Sequence, residues 1–270
     1  MMLSVPHFKQ EWFPNYSADI HQLDSGVIWA ASRIGRRHTR VGLPCQDAFS
    51  VWGAGAMAGM AVADGVGSHP FSERSSRLAV SALQAVPIQS VFQGDWSDNA
   101  ARIIEKVCTV VEDGFRNARV SDRVPGTTLV GAWTRSIGDR IETRWLSIGD
   151  SAIVVLEPLD SEQSHGGFHV LNVGPQLHNE STDSLPANFA RFESNVEFLV
   201  PGQLLLLATD GYFKQLEEQA PHTLNNISRV IHGLGDPAQF LLALRHDGAG
   251  FDDDATAVLF QSNLSSEQTK

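Results

Sequence analysis

Leu204-Leu205-Leu206-Leu207-Ala208-Thr209-Asp210-Gly211 is a short apolar run that stops on a carboxylate followed by glycine. The same design occurs earlier as Met60-Ala61-Val62-Ala63-Asp64-Gly65. Runs of this length bounded by turn residues read as strands. A strand end holds a carboxylate rigidly at the rim of a sheet, and the glycine lets backbone or ligand approach closely.

Working outward, short apolar or alternating runs predict strands over 27–32, 48–52, 57–63, 128–134, 141–148, 152–156, 168–173, 204–209 and 255–260. Two stretches carry the helical repeat instead. Ser75, Leu78, Ala79, Ala82, Leu83 and Val86 recur at three- and four-residue intervals, as do Ala100, Ile103, Ile104, Val107, Val111, Phe115 and Ala118. Each puts one apolar stripe against a sheet. A third helix is predicted over 237–245, with Pro237 in its first turn. The order of strands, two helices, many strands, a helix and a last strand lacks strict β-α-β alternation. That argues against a doubly wound parallel sheet and for an α+β fold of helices on antiparallel sheets. With no linker evident, residues 26–261 are expected to form a single domain. Residues 1–25 read as an irregular extension, 176–195 as a surface loop and 262–270 as a frayed tail.

The bulk numbers narrow the function. Of 270 residues, 42% are hydrophobic, ample for a core. No apolar run approaches the roughly 18–20 residues of a membrane helix. The start, lacking a basic segment and an apolar signal core, does not indicate secretion. Cys45 and Cys108 make neither a disulfide framework nor a CxxC pair, which suits a reducing cytoplasm. A net charge of −11 argues against a nucleic-acid surface and is compatible with bound cations.

Two further acidic elements sit beside predicted strands: Asp47 in Cys45-Gln46-Asp47-Ala48-Phe49, and Asp252-Asp253-Asp254 ahead of the last strand. Singly, each Asp-Gly is an ordinary turn and the acidic triplet a solvated one. Their shared placement beside strands predicts convergence on one site. Hard divalent cations such as Mg²⁺ and Mn²⁺ take oxygen ligands of this kind. Pro125-Gly126-Thr127-Thr128-Leu129 opens another strand, and Gly149-Asp150-Ser151 reads as a tight hairpin with Asp150 in a supporting role.

In this order, QDAF at 46–49, ADGVG at 63–67, GTT at 126–128, GDS at 149–151, ATDG at 208–211 and DDAT at 253–256 resemble the motif series of the type 2C protein serine/threonine phosphatases. The likeness spans about residues 32–260. GRRH at 35–38 followed by GLPCQD at 42–47 is similar to a bacterial branch of that metal-dependent family. The resemblance implies a four-layer α-β-β-α sandwich of two antiparallel sheets flanked by helices, with two Mg²⁺ or Mn²⁺ ions at one edge. It implies that Asp64 bridges both ions, with the Gly65 carbonyl as a further ligand. Asp210 and Asp253 complete the first ion, and Asp47 serves the second directly or through its water. Asp64, Asp210 and Asp253 are thus the catalytic carboxylates. Asp254 fills a slot often held by Asn and supports them. Two cations sharing a water would lower its pKa and neutralise the phosphoryl oxygens.

The chain departs from the family where phosphate is held. The slot often filled by Arg carries His38, with Arg37 beside it, and these two are the expected phosphate contacts. The position after Asp64-Gly65 is Val66 rather than His, with His69 three residues on and best read as a loop residue. Asp122 does not match the spacing of a third metal ligand. The implied activity is hydrolysis of phosphoserine and phosphothreonine on proteins, opposite a Ser/Thr kinase in signalling, by a cytoplasmic monomer. The alternative is an inactive pseudophosphatase that binds phosphoproteins. A DxDx[TV] nucleophile motif and a GxxxxGK[ST] loop are both absent.

Overall fold

The computed structural model describes residues 15–66, 71–118, 124–159, 167–172, 183–186, 191–233, 237–244 and 252–264. In chain order the strands and helices are β1 (Tyr16–Leu23), β2 (Gly26–Arg33), α1 (Arg36–Val41), β3 (Ala48–Ala54), β4 (Met57–Ala63), α2 (Ser72–Gln84), α3 (Ile88–Val91) and α4 (Trp96–Ala118). There follow β5 (Leu129–Ile137), β6 (Arg140–Ile148), β7 (Ala152–Leu156), β8 (Phe168–Val170), β9 (Glu193–Leu199), β10 (Leu204–Ala208), α5 (Asp210–Glu218), α6 (Ala220–His232), α7 (Pro237–Ala243) and β11 (Ala255–Ser262). They form a six-stranded sheet, β1-β2-β11-β10-β7-β8, and a five-stranded sheet, β3-β4-β5-β6-β9. Every neighbouring pair is antiparallel.

The continuous apolar runs follow from burial on both faces of each sheet. Along β10, Leu205 and Leu207 face the other sheet in a core shared with Ile28, Met60, Val62 and Val258. Leu204, Leu206 and Ala208 point the opposite way, into a core with Tyr212, Phe213, Leu224, Ile227 and Phe240 of α5, α6 and α7. On the far side, Ala61, Ala63 and Leu129 meet the stripes of α2 and α4. The period of two along a strand therefore supplies three apolar layers, and the fold is the expected four-layer α-β-β-α sandwich. Trp96 anchors the start of α4. It meets Trp133 edge-on with centroids 5.7 Å apart, and its indole N–H donates to the Trp145 carbonyl at 3.2 Å.

Three expectations need correction. Residues 16–23 are not irregular but form β1, paired along its length with β2. Residues 193–195, assigned to a loop, begin β9, which pairs with β6. Gly149-Asp150-Ser151 is not a hairpin, because β6 and β7 lie in different sheets. It is a crossover, and Gly149 makes it at a φ of 90°, a backbone state that only glycine adopts readily. The first 14 residues, His69, Asp122, most of 176–195 and the last six residues lie outside the described residues.

Candidate metal centre

The site lies where both sheets end on the same side. Ala48 and Ala63 are the last registered pair of β3 and β4, so Asp47 and Asp64 are cross-strand neighbours just beyond it. In the other sheet Ala208 pairs with Ala257, which brings Thr209 against Thr256 and Asp210 toward the lead-in of β11, where Asp253 stands. Asp210 is not at a strand end in the simple sense, since α5 begins on it one residue after β10. A carboxylate in the first helical turn suits the positive end of the helix dipole. Thr209 precedes it in the N-cap position, yet its hydroxyl makes no cap hydrogen bond. It donates instead to Asp47 Oδ2 at 2.7 Å and accepts the Thr256 N–H at 3.0 Å, tying one sheet to the other.

Asp64 is held through its backbone. Its N–H donates to Thr128 Oγ1 at 2.9 Å and its carbonyl accepts the Thr127 hydroxyl at 2.9 Å and the Thr128 N–H at 2.8 Å. Thr128 Oγ1 is in turn hydrogen-bonded to Ser151 Oγ at 2.8 Å. The glycine-threonine-threonine and glycine-aspartate-serine motifs thus converge on one aspartate. Gly65 donates its N–H to the Gln46 carbonyl at 3.2 Å. A Cβ there would lie 2.7 Å from the Ser72 carbonyl and 2.9 Å from the Gln46 oxygen, so the close approach requires glycine.

Burial is the leading cause that pushes the carboxyls of Asp47 and Asp64 well above the usual range. The Asp254 charge adds to it for Asp47, and the Asp47, Asp210 and Asp253 charges add to it for Asp64. Asp253 is raised for the same reasons, burial first and Asp210 second. Negative charge gathered here calls for a cation. Lys214, four residues along α5, pairs with Asp210 Oδ2. Desolvation opposes its charge, but Asp210, Asp253 and Asp150 together hold its pKa above the ordinary value.

The donor set fits a hard divalent ion. Asp47 Oδ1 and Asp210 Oδ1 are buried oxygens with no hydrogen-bond partner, and all the candidate donors are oxygens. Among the described residues no three His, Cys, Asp or Glu side chains form a ready-made ligand cluster. Mg²⁺ and Mn²⁺ do not demand one, since such ions are commonly held by one or two carboxylates and keep several waters.

Of the residues expected at the site, Asp47, Asp64, Gly65, Asp210 and Asp253 come together, whereas the two phosphate contacts separate. His38, the expected phosphate contact, is turned inward. It is 4% exposed, and its Nδ1 is 2.9 Å from Asp254 Oδ2. That pairing raises the imidazole pKa despite partial desolvation. Arg37 remains exposed on α1. Thr209 and Lys214 were not singled out from sequence. Lys214 would have been legible as an i,i+4 partner of Asp210 had a helix been expected over 210–218.

Comparison with known proteins agrees with this fold. A family model described as protein phosphatase 2C matches residues 34–240. No curated protein sequence matches the chain. Among solved structures, RsbX in complex with magnesium superposes with a TM-score of 0.60 at 14% identity, covering 92% of this chain and 100% of that one. The serine/threonine phosphatase of S. agalactiae gives 0.57 at 20% identity, with 91% and 99% covered. The catalytic domain of the serine/threonine protein phosphatase PstP in complex with two manganese ions gives 0.56 at 19% identity, with 87% and 97% covered. At these identities the likeness is one of fold.

Proposed function

The chain belongs to the protein phosphatase 2C family, and from that premise we propose that it hydrolyses phosphoserine and phosphothreonine on proteins with the help of two Mg²⁺ or Mn²⁺ ions. The observation that carries this reading is the meeting of Asp47 and Asp64 from one sheet with Asp210 and Asp253 from the other. Two of these carboxylates keep a buried oxygen open. Divalent ions bound there supply an activated water and neutralise charge on the phosphoryl oxygens. Asp47, Asp64, Asp210 and Asp253 would hold these ions, with Asp64 central to the set. Thr209 keeps Asp47 aimed into the cleft, and the Thr127 and Thr128 hydroxyls keep Asp64 from turning away. Arg37, exposed on α1, offers a guanidinium for the substrate phosphate, His38 being engaged with Asp254. Residues 26–261, completed by β1 on their six-stranded sheet, act as the catalytic unit, and a cytoplasmic signalling role opposite a Ser/Thr kinase is part of the same proposal.

The test is hydrolysis of p-nitrophenyl phosphate and of a phosphothreonine peptide by purified protein in excess Mn²⁺, beside an Asp64→Asn control. Mn²⁺-dependent turnover well above that control is expected. No difference from the control would remove the enzyme reading, and Mn²⁺ binding without turnover would point to a phosphoprotein-binding module.

A further inference from the structure

The pair of His38 and Asp254 is buried beside the candidate ligands, and the mechanism above does not use it. Asp254 is 2% exposed, and its carboxylate accepts three hydrogen bonds. Oδ1 takes the Gly35 N–H at 2.7 Å, and Oδ2 takes the Gln46 N–H at 2.6 Å and the His38 Nδ1–H at 2.9 Å. Gly35 follows β2 of the six-stranded sheet and Gln46 precedes β3 of the five-stranded sheet. The segment between them, with α1 at its centre, is therefore a crossover from one sheet to the other. Asp254 grips it at both ends, and His38 grips Asp254 from its middle.

The neighbours of this network are the candidate ligands. Asp254 is adjacent to Asp253, whose Oδ1 accepts the Asp254 N–H at 3.1 Å. Gln46 is adjacent to Asp47, and its carbonyl accepts the Gly65 N–H at 3.2 Å and the Ser76 hydroxyl at 2.5 Å. A single buried carboxylate thus fixes where Asp253 of one sheet stands relative to Asp47 and Asp64-Gly65 of the other. Without His38 the carboxylate would keep its two backbone donors and lose the charge-assisted third, the bond that ties it to the middle of the crossover.

We propose that His38 is a positioning residue: acting through Asp254, it sets the spacing between the carboxylates of the two sheets, and with it the affinity of the site for a divalent cation. The inference rests on the reading of the site given above. Residues that orient metal ligands from behind typically change affinity by about 10- to 100-fold when removed.

The side chains of Asn and Gln provide a stereochemical test. The amide nitrogen of Asn falls near the position of Nδ1, the nitrogen that meets Asp254, whereas that of Gln reaches toward the position of Nε2. Mn²⁺ is titrated calorimetrically into metal-stripped full-length protein and into His38→Ala, His38→Gln and His38→Asn. The KM for p-nitrophenyl phosphate is measured in parallel at saturating Mn²⁺. His38→Ala and His38→Gln are expected to weaken Mn²⁺ binding by about 10- to 100-fold, His38→Asn to stay near wild type, and KM to hold steady throughout. If His38→Ala fails to fold, the contrast between Asn and Gln carries the test. Equal Mn²⁺ affinity in all the folded variants would overturn this inference alone, as would a raised KM at unchanged metal affinity, which would return His38 to the phosphate. Failure of the unaltered protein to bind Mn²⁺ would overturn the proposed function and this inference with it.

Discussion

Replacing Thr209 by Val exchanges a hydroxyl for a methyl at a fully buried position between the two sheets. The hydroxyl donates to Asp47 Oδ2 at 2.7 Å and accepts the Thr256 N–H at 3.0 Å. Losing a hydrogen bond to a carboxylate costs about 1.5–3 kcal/mol, and stranding a buried N–H costs about 1–3 kcal/mol. The two losses share one atom and overlap, so about 3 kcal/mol in total is expected. At a urea slope of about 3 kcal/mol per molar, the unfolding midpoint of Thr209→Val should fall by about 1 M. Thr209→Ser is the control. It keeps both hydrogen bonds and loses one methyl, worth about 1 kcal/mol. Because Asp47 loses its orienting donor only in the Val variant, calorimetric Mn²⁺ affinity should fall about tenfold there and little in the Ser variant. Coincident urea midpoints and equal metal affinities for the two variants would refute the claim that this hydroxyl links the sheets through the site.

Other consequences are open to direct measurement. Lys214→Gln removes a cation that pairs with Asp210, and two charges about 4 Å apart in water interact by about 1 kcal/mol. Mn²⁺ affinity by calorimetry should therefore rise about fivefold, whereas weaker binding would show that Lys214 supports the site instead. Leu205→Ala opens a cavity between the sheets and should cost about 2–5 kcal/mol of stability. Leu242→Ala, at a position 62% exposed on α7, should cost about 0.5 kcal/mol or less in the same denaturation assay. Gly149→Ala forces a side chain onto a φ of 90° and sets its Cβ 2.7 Å from Thr128 Cγ2, so a loss of about 1–3 kcal/mol is expected by thermal unfolding.

The parts of the fold legible in the sequence are those buried on two faces. Met57–Ala63 and Ala152–Leu156 stand out as strands because both their odd and even positions enter a core. The stripes of α2 and α4 are equally plain, each facing one sheet. Two of the four edge strands, β1 and β9, gave no such signal. β1 and β9 pair on one side only and leave most of their residues partly or fully exposed, so Tyr16–Leu23 and Glu193–Leu199 carry polar residues that a loop would also carry. α5 is not legible because it starts on Asp210 only one residue after β10, and the Asp-Gly pair there reads locally as a turn. The crossover at Gly149 was misread for a related reason. A glycine at positive φ suits a hairpin and a change of sheet equally, and only the pairing partners of β6 and β7 distinguish them.

Within the site, motif order picked out the carboxylates but could not show what holds them. Thr209, Thr127 and Thr128 act through hydroxyls whose partners are 162, 63 and 64 residues away in sequence. His38 shows the opposite limit, since its place in the chain suggested the cleft while its ring serves Asp254, 216 residues away.

The central claim is that Asp47, Asp64, Asp210 and Asp253 together hold divalent ions at the shared edge of the two sheets. A crystal structure of the Mn²⁺-soaked protein, with anomalous differences collected at the manganese edge, tests it most directly. The account predicts anomalous peaks in that cleft, with Asp64 reaching the ions and with Asp210 and Asp253 on the same one. A cleft without a peak at saturating Mn²⁺, or ions held by other side chains, would contradict it.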